Sequence, residues 1–228
     1  MKDPANLARV RWAQDIDAAG WIIDVLHKHP RRGTWDVGAL VPSSFDAFAR
    51  VLHPAWEAWN PRPAKIRWAE LARAQASELA AGTDFDDLSG HPSASNVVAP
   101  LEGTLDCDDL DALLELLAGS TAQPECCWFG LWDGWASLEG LPPGPRVEVP
   151  DRSFALYSGP LEGALTFCQP PVSQSPNLWW PGDRAWCVAS EVDFRSTYVG
   201  GSNRLIDQIL SDEQLEAIPV RPGDRITD

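Results

Sequence analysis

A tryptophan-rich stretch, CWFGLWDGW at positions 127–135, constrains the fold of this chain more than any other feature of its sequence. Successive side chains of a β-strand point to opposite faces of the sheet. The alternation divides six residues between two faces, with Cys127, Phe129 and Leu131 on one and Trp128, Gly130 and Trp132 on the other. Both faces are apolar or aromatic at their centre, which is typical of a strand covered on both sides. We therefore expect this stretch to form a central strand.

Gly130 leaves a notch between Trp128 and Trp132 on one face of this strand. Protein atoms would fill the notch if the tryptophans belong to the core, because buried tryptophan contributes a large share of core area. A planar ligand would fill it if the tryptophans form a binding platform. The sequence favours core packing and leaves the platform as an alternative.

Short runs of aromatic and β-branched residues, bounded by glycine and proline, follow this stretch and predict further strands. They are RVEVP, SFALYSG, AWCVASEVD and STYVGG, and the last two predict an antiparallel hairpin. Ser202 can cap a closing helix that buries Leu205 and Ile209. The twenty prolines of the chain favour short elements joined by turns.

The first half of the chain shows the apolar spacing of amphipathic helices. These helices are predicted at 17–26, 43–52, 65–82 and 104–120. In the second of them, Phe45, Phe48 and Leu52 would line one face. In the last, either Thr104 or Asp106 would act as the N-terminal cap, and the aspartates of the first turn would complement the helix dipole.

Helices first and strands later predict an α+β fold rather than alternating βαβ units. We expect a single α+β domain over 1–228, with a helical part at about 12–118 and a sheet part at about 126–220. The mainly helical N-terminal half would pack on a mostly antiparallel sheet of about five strands from the C-terminal half. A C-terminal helix would close the domain.

The charge balance is strongly acidic, with 33 Asp and Glu against 18 Lys and Arg and a net charge of −15. Such a surface repels phosphate backbones and anionic lipids, so nucleic acid and membranes are not expected partners. Either the charge only keeps the protein soluble, or it forms a decoy surface for a basic protein partner. The chain shows no apolar run of membrane-spanning length and no secretory signal, so we expect a cytoplasmic protein. Its oligomeric state does not follow from the sequence.

The signatures of catalysis and of metal or cofactor binding are missing from the sequence. The five cysteines form no CxxC pair and are typical of reduced, buried thiols, so no metal site is predicted. Neither a glycine-rich phosphate loop nor a G-x-S-x-G elbow occurs, and no cofactor is predicted. These features favour a protein that is not an enzyme, although a catalytic group assembled in space would leave no such trace.

A second segment, QPPVSQSPNLWWPGDRAW at 169–186, is predicted to be a long functional loop. Trp179 and Trp180 are adjacent, so we expect one of them to be exposed or to cover a pocket. Polar groups stand beside them, and aromatic plates with a few polar groups suit either a small-molecule pocket or an interface hot spot. The full candidate binding set is Trp128, Trp132, Asn177, Trp179, Trp180, Asp183 and Arg184. The alternative is a loop that its tryptophans anchor, with Asp183 and Arg184 as a local ion pair.

Blocks distributed over the whole chain resemble an uncharacterised family of actinobacterial proteins. The blocks are DVGALVPSSFDAFARVLHPAW, RWAEL, GTL, CWFGLWDGW, SPNLWWPGDRAWCVASEVDFRSTYVGGS and LIDQIL. The resemblance implies that the blocks belong to one fold, and it implies no activity. A more distant resemblance is to the SUKH immunity superfamily. It rests on the pattern of an LP before a helix with aromatic residues, matched at 40–48, and on a closing amphipathic helix at 202–210. It implies an α+β architecture and, for many members, neutralisation of a toxin by binding.

These features favour the hypothesis that the chain is a non-enzymatic, cytoplasmic α+β protein. It would bind a protein partner, as immunity or partner-neutralising proteins do. The acid excess, the missing catalytic signature and the tryptophan-rich segment support this hypothesis. The rival hypothesis is a small-molecule binding protein or enzyme with a pocket lined by Trp128, Trp132, Trp179 and Trp180.

Overall fold

The computed structural model describes residues 9–26, 35–90, 96–135, 145–149, 152–169 and 174–226. The strands in these ranges are β1 Arg11–Trp12, β2 Ala47–Leu52, β3 Ala55–Glu57, β4 Lys65–Ile66, β5 Val97–Val98, β6 Cys127–Trp132, β7 Arg146–Val149, β8 Arg152–Gly159, β9 Leu178–Pro181, β10 Cys187–Ser190, β11 Ser196–Gly201 and β12 Ala217–Val220. The α-helices are α1 Gly20–Leu26, α2 Trp68–Ala74, α3 Phe85–Ser89, α4 Cys107–Ala118, α5 Ala164–Phe167 and α6 Asn203–Ser211.

An antiparallel sheet of nine strands forms the centre of the protein. Its order is β1-β8-β6-β9-β10-β11-β2-β12, and β7 pairs with β8 beside β1. The remaining strands form a small sheet of order β4-β3-β5. The chain therefore contributes strands to the large sheet from both of its halves.

Each face of the large sheet carries its own hydrophobic core. The first core packs α4, α5 and α6 against residues that include Phe129, Trp179 and Val199. The second core packs α1 and the 3₁₀ turn Val37–Ala39 against the opposite face, where Trp180 lies. Because both faces are covered, successive residues of an interior strand are buried alternately on the two sides.

The prediction of a mainly helical N-terminal half over a sheet of about five strands is wrong, because the large sheet has nine strands and two of them come from the N-terminal half. The strand β2 illustrates the reason. The stretch predicted as a helix at 43–52 contains β2, an interior strand between β11 and β12. The spacing of Phe48 and Leu52 fits one face of a helix, but it also fits alternate positions of a strand. A strand buried on both faces has no polar side to reveal its period, so the apolar pattern alone does not distinguish the two structures.

Two other predicted boundaries also differ from the structure. The helix predicted at 65–82 is α2 alone, because Lys65–Ile66 forms β4 and Ala76 has a positive φ of 53° that ends regular helix. The segment predicted as a loop at 169–186 contains β9, paired on both sides. Each of the two segments therefore contains a strand that the sequence did not predict.

Several sequence predictions are confirmed. β6 is an interior strand, with β8 on one side and β9 on the other. β10 and β11 form the predicted antiparallel hairpin. Asp106 caps α4 by accepting the backbone N–H of Asp108, and Ser202 caps α6 by accepting that of Leu205. Over the described ranges, no helix is long and apolar enough to cross a bilayer.

Candidate functional site

The two adjacent tryptophans of the segment predicted as a loop at 169–186 lie on β9, inside the large sheet rather than on the surface. Residues 170–173 of this segment fall outside the described ranges. Trp179 and Trp180 are each only 1% exposed, and they lie in the two different cores. Neither of them is exposed, because a sheet covered on both faces buries adjacent side chains equally well.

The notch beside Gly130 is filled by protein. A Cβ atom on Gly130 would lie 3.1 Å from the carbonyl oxygen of Leu178 and 3.2 Å from Cβ of Phe154. Trp128 and Trp132 are half-buried against the second core, to which Trp180 also belongs. Since Trp179 lies on the opposite face, the four predicted tryptophans do not line a common pocket.

Asn177 is a buried polar junction between three segments of chain. Its Nδ2 donates to the carbonyl oxygens of Gly103 at 2.9 Å and Ser190 at 3.2 Å. Its Oδ1 accepts the backbone N–H of Trp132 at 2.9 Å and the indole N–H of Trp135 at 3.3 Å. All the hydrogen-bonding capacity of this amide is used within the protein, so it acts as a structural clamp.

Asp183 and Arg184 occupy the exposed turn between β9 and β10 and have different partners. Asp183 accepts hydrogen bonds from the hydroxyl and the backbone N–H of the Thr121–Ala122 segment at 2.8 Å each. The guanidinium of Arg184 lies 5.3 Å from the ring centroid of Trp21, within cation–π range. The structure brings Asp183 and Arg184 to one surface, and the binding role predicted for the seven-residue set stays a prediction.

A chain of buried polar side chains joins β2, β10 and β11. The Nδ1 atom of His53 lies 2.7 Å from the carbonyl oxygen of Leu101, and Nε2 lies 2.9 Å from Oγ1 of Thr197. The hydroxyl of Ser190 is 2.6 Å from the same Oγ1. Burial lowers the pKa of His53 to about 4, and the nearby Arg50 charge adds to this effect, whereas the hydrogen bond to Leu101 opposes it. The imidazole is therefore neutral at physiological pH.

An imidazole beside a hydroxyl is the arrangement that activates a nucleophile. Here His53, Thr197 and Ser190 are each at most 2% exposed, so solvent and substrate do not reach them. A cavity near Ser190, lined also by Leu178 and Ala189, measures about 20 Å³ and has room for one water molecule at most. The polar chain therefore stabilises the sheet and does not form an active site.

Among the described residues, three large apolar side chains are exposed to solvent, each on a strand of the small sheet or within three residues after one. Trp59 follows β3 and is 94% exposed, Val98 on β5 is 51% exposed, and Leu101 after β5 is 56% exposed. Trp59 also has a positive φ of 64°, which is uncommon for a bulky residue. We call these three residues the small-sheet surface. This surface is not predicted from the sequence, because nothing local distinguishes Trp59 from the buried tryptophans.

A groove of about 510 Å³ lies between α2 and β12. Arg67 donates to the backbone carbonyl of Glu213 there, and the Glu216 carboxylate accepts the N–H groups of Trp68 and Ala69 at 2.7 Å each. Burial raises the pKa of Glu216, although these two hydrogen bonds lower it. The groove is lined by Arg67, Ala69, Glu70, Arg73, Leu79, Leu210, Asp212, Leu215, Glu216, Ala217 and Ile218.

Metal ligands are not grouped anywhere in the ranges given above, since no three His, Cys, Asp or Glu side chains are arranged to hold an ion. Comparison with protein-family models, with curated proteins and with solved structures gave no match to this chain.

Proposed function

We propose that this chain is a cytoplasmic, non-enzymatic protein that binds and neutralises a basic protein partner through its small-sheet surface. The observation that carries the proposal is the 94% exposure of Trp59. The type of function is the one that the resemblance to SUKH immunity proteins implies. The five free cysteines accord with a reducing compartment.

An exposed tryptophan side chain is energetically unfavourable in water and is often found where a partner binds. Its indole offers a large apolar area to water, and tryptophan is enriched among the residues that dominate binding energy at protein interfaces. Val98 on β5 and Leu101, three residues farther along the chain, are exposed as well. This combination is what a partner could cover, with Trp59 as the anchor.

The charge of the molecule favours a basic partner. The net charge is −15, and acidic side chains accompany the small sheet. Glu57 on β3, Glu102 beside Leu101 and Asp108 in the first turn of α4 are all exposed, with Glu102 paired to Arg195 at 2.8 Å and Asp108 lying 3.8 Å from Lys65. The net negative charge of the protein attracts a cationic partner and speeds its association.

Co-expression with the products of the genes that flank its own gene tests this proposal. We expect one of them to be basic and to form a stable complex on size-exclusion chromatography. Replacing Trp59→Ser should weaken the Kd measured by calorimetry by about 30-fold or more, since a hot-spot residue contributes 2 kcal/mol or more. The matched control is Ile218→Ser, a half-buried residue that lines the groove between α2 and β12, which should leave the Kd unchanged.

Three results would contradict the proposal. They are complete absence of binding by these gene products, an unchanged Kd for the Trp59 variant, and loss of binding in the Ile218 variant alone. The affinity should also fall as salt is raised from low to physiological concentration, because screening weakens attraction between opposite charges.

The second candidate function is binding of a small molecule, and the groove between α2 and β12 favours it. Its volume and its mixture of Arg67, Arg73 and Glu70 with apolar side chains suit a polar ligand of modest size. A thermal-shift screen with nucleotides, sugars and metal ions tests this function. A Tm that rises with ligand concentration, and that no longer rises in Arg73→Ala, would support the groove, whereas a flat response would exclude these ligands.

A further inference from the structure

Two cysteines from distant parts of the chain meet where α4 begins and α5 ends. Cys107 is the first residue of α4 and is exposed, while Cys168 directly follows α5 and is 9% exposed. The Sγ atom of Cys107 lies 3.9 Å from the carbonyl oxygen of Cys168. This contact brings the sulfur of Cys107 to the backbone of Cys168, within reach of the Cys168 side chain.

We propose that Cys107 and Cys168 form a reversible intramolecular disulfide by exchange with a small disulfide such as oxidised glutathione. The site contains none of the three residues of the small-sheet surface, and the proposal does not rest on the proposed function. Disulfides of this kind in reducing compartments are transient and serve redox sensing.

The exchange proceeds in two balanced steps. In the first, the thiolate of Cys107 attacks one sulfur of oxidised glutathione, the sulfur–sulfur bond of glutathione breaks, and one glutathione leaves as a thiolate that takes up a proton. In the second, the thiolate of Cys168 attacks the sulfur of Cys107, and the second glutathione leaves in the same way. Two protein thiols are oxidised, and one glutathione disulfide is reduced to two thiols.

The accessibility of each thiol decides this order. Cys107 is exposed and meets the small disulfide first. Burial, together with the neighbouring Cys107, raises the pKa of Cys168, so this thiol reacts less readily with a reagent in solution. Its attack is intramolecular, however, and proximity raises its effective concentration at the Cys107 sulfur.

The other cysteines lack this combination. Cys127 and Cys187 are fully buried, and burial raises the pKa of the Cys127 thiol to about 12. Cys126 is exposed. Its neighbour in sequence, Cys127, lies on β6 with its side chain in the first core. Cys126 therefore provides a matched control, since it is an exposed thiol whose neighbouring thiol is closed to solvent.

Intact mass spectrometry of the full-length protein after incubation with oxidised glutathione tests the proposal. The wild type and Cys126→Ser should both acquire a disulfide that joins the peptides of Cys107 and Cys168, and dithiothreitol should reverse it. Cys168→Ser should retain glutathione on Cys107, because the resolving thiol is missing. In Cys107→Ser the cross-link should not form.

The cross-link should also raise the Tm. It would close a loop of about 60 residues and restrict the unfolded chain, so we expect an increase of about 5–10 °C. A stable glutathione adduct on Cys107 of the wild type without a cross-link would overturn the proposal. A cross-link between any other pair, or one that forms equally in Cys107→Ser, would also overturn it.

Discussion

Acidification should weaken the fold through a single buried side chain, His53. Burial, reinforced by the charge of Arg50, lowers the pKa of this imidazole from 6.5 to about 4. The unfolded chain therefore takes up a proton near pH 6.5, whereas the folded protein resists it until about pH 4. The contribution of His53 to stability is complete above pH 6.5 and is lost as the pH falls toward 4.

The size of the effect follows from the difference between the two pKa values. One pKa unit corresponds to about 1.4 kcal/mol, so full protonation costs about 3 kcal/mol. At pH 5 only part of this is lost, and the free energy of unfolding should fall by about 2 kcal/mol relative to pH 8. Losing 2 kcal/mol is a large fraction of the stability of a typical domain.

Urea denaturation at pH 8 and pH 5 measures this loss. We expect the wild type to lose about 2 kcal/mol more than His53→Gln between the two pH values, because glutamine cannot be protonated there. Taking the difference between the two proteins removes the contributions of other groups, such as Asp109 and Glu216, whose pKa values are raised by burial. Ser190→Ala disturbs the same polar chain and should keep the full pH dependence. Equal losses in the wild type and in His53→Gln would refute the reasoning.

The remaining predictions concern the large sheet and the turn between β9 and β10. Gly130→Ala should lower the free energy of unfolding by about 1–3 kcal/mol through overpacking, whereas Gly82→Ala, with open space around it, should have little effect in the same urea titration. Trp180→Ala should cost about 3–5 kcal/mol on thermal or urea unfolding, and a wild-type stability would show that its side chain is not buried. Asp183→Ala should cost about 1 kcal/mol and speed hydrogen exchange at Ala122, so unchanged exchange would contradict the hydrogen bond described above.

Local signals were enough to predict some elements. The alternation in β6, the Asp106 cap of α4 and the Ser202 cap of α6 each depend on residues close together in sequence. The elements that pack against them contribute apolar surface but do not decide whether they are helix or strand. Such elements are predictable because period and capping are properties of the segment itself.

Other elements depend on partners far along the chain. β2 is a strand because β11 and β12 pair with its two edges. The local sequence AFARVL carries no information about these distant partners. β9 contains Pro181 and two adjacent tryptophans, which locally indicate a loop. The exposure of Trp59 is likewise a result of tertiary structure, so the sequence alone does not distinguish this residue from the buried tryptophans.

The position of β2 has a consequence for the chain as it leaves the ribosome. β2 is made early, but β11 and β12 lie about 150–170 residues later, which is roughly 10–30 s of synthesis. Throughout that time an apolar strand has two open edges that other chains could join. Arg50 places a positive charge in the middle of the strand, and a charge there hinders aggregation of unpaired strands. Once β11 has been synthesised and pairs with β2, Ser196 accepts a hydrogen bond from this guanidinium. The charge that opposes aggregation of the unpaired strand is then held inside the finished sheet.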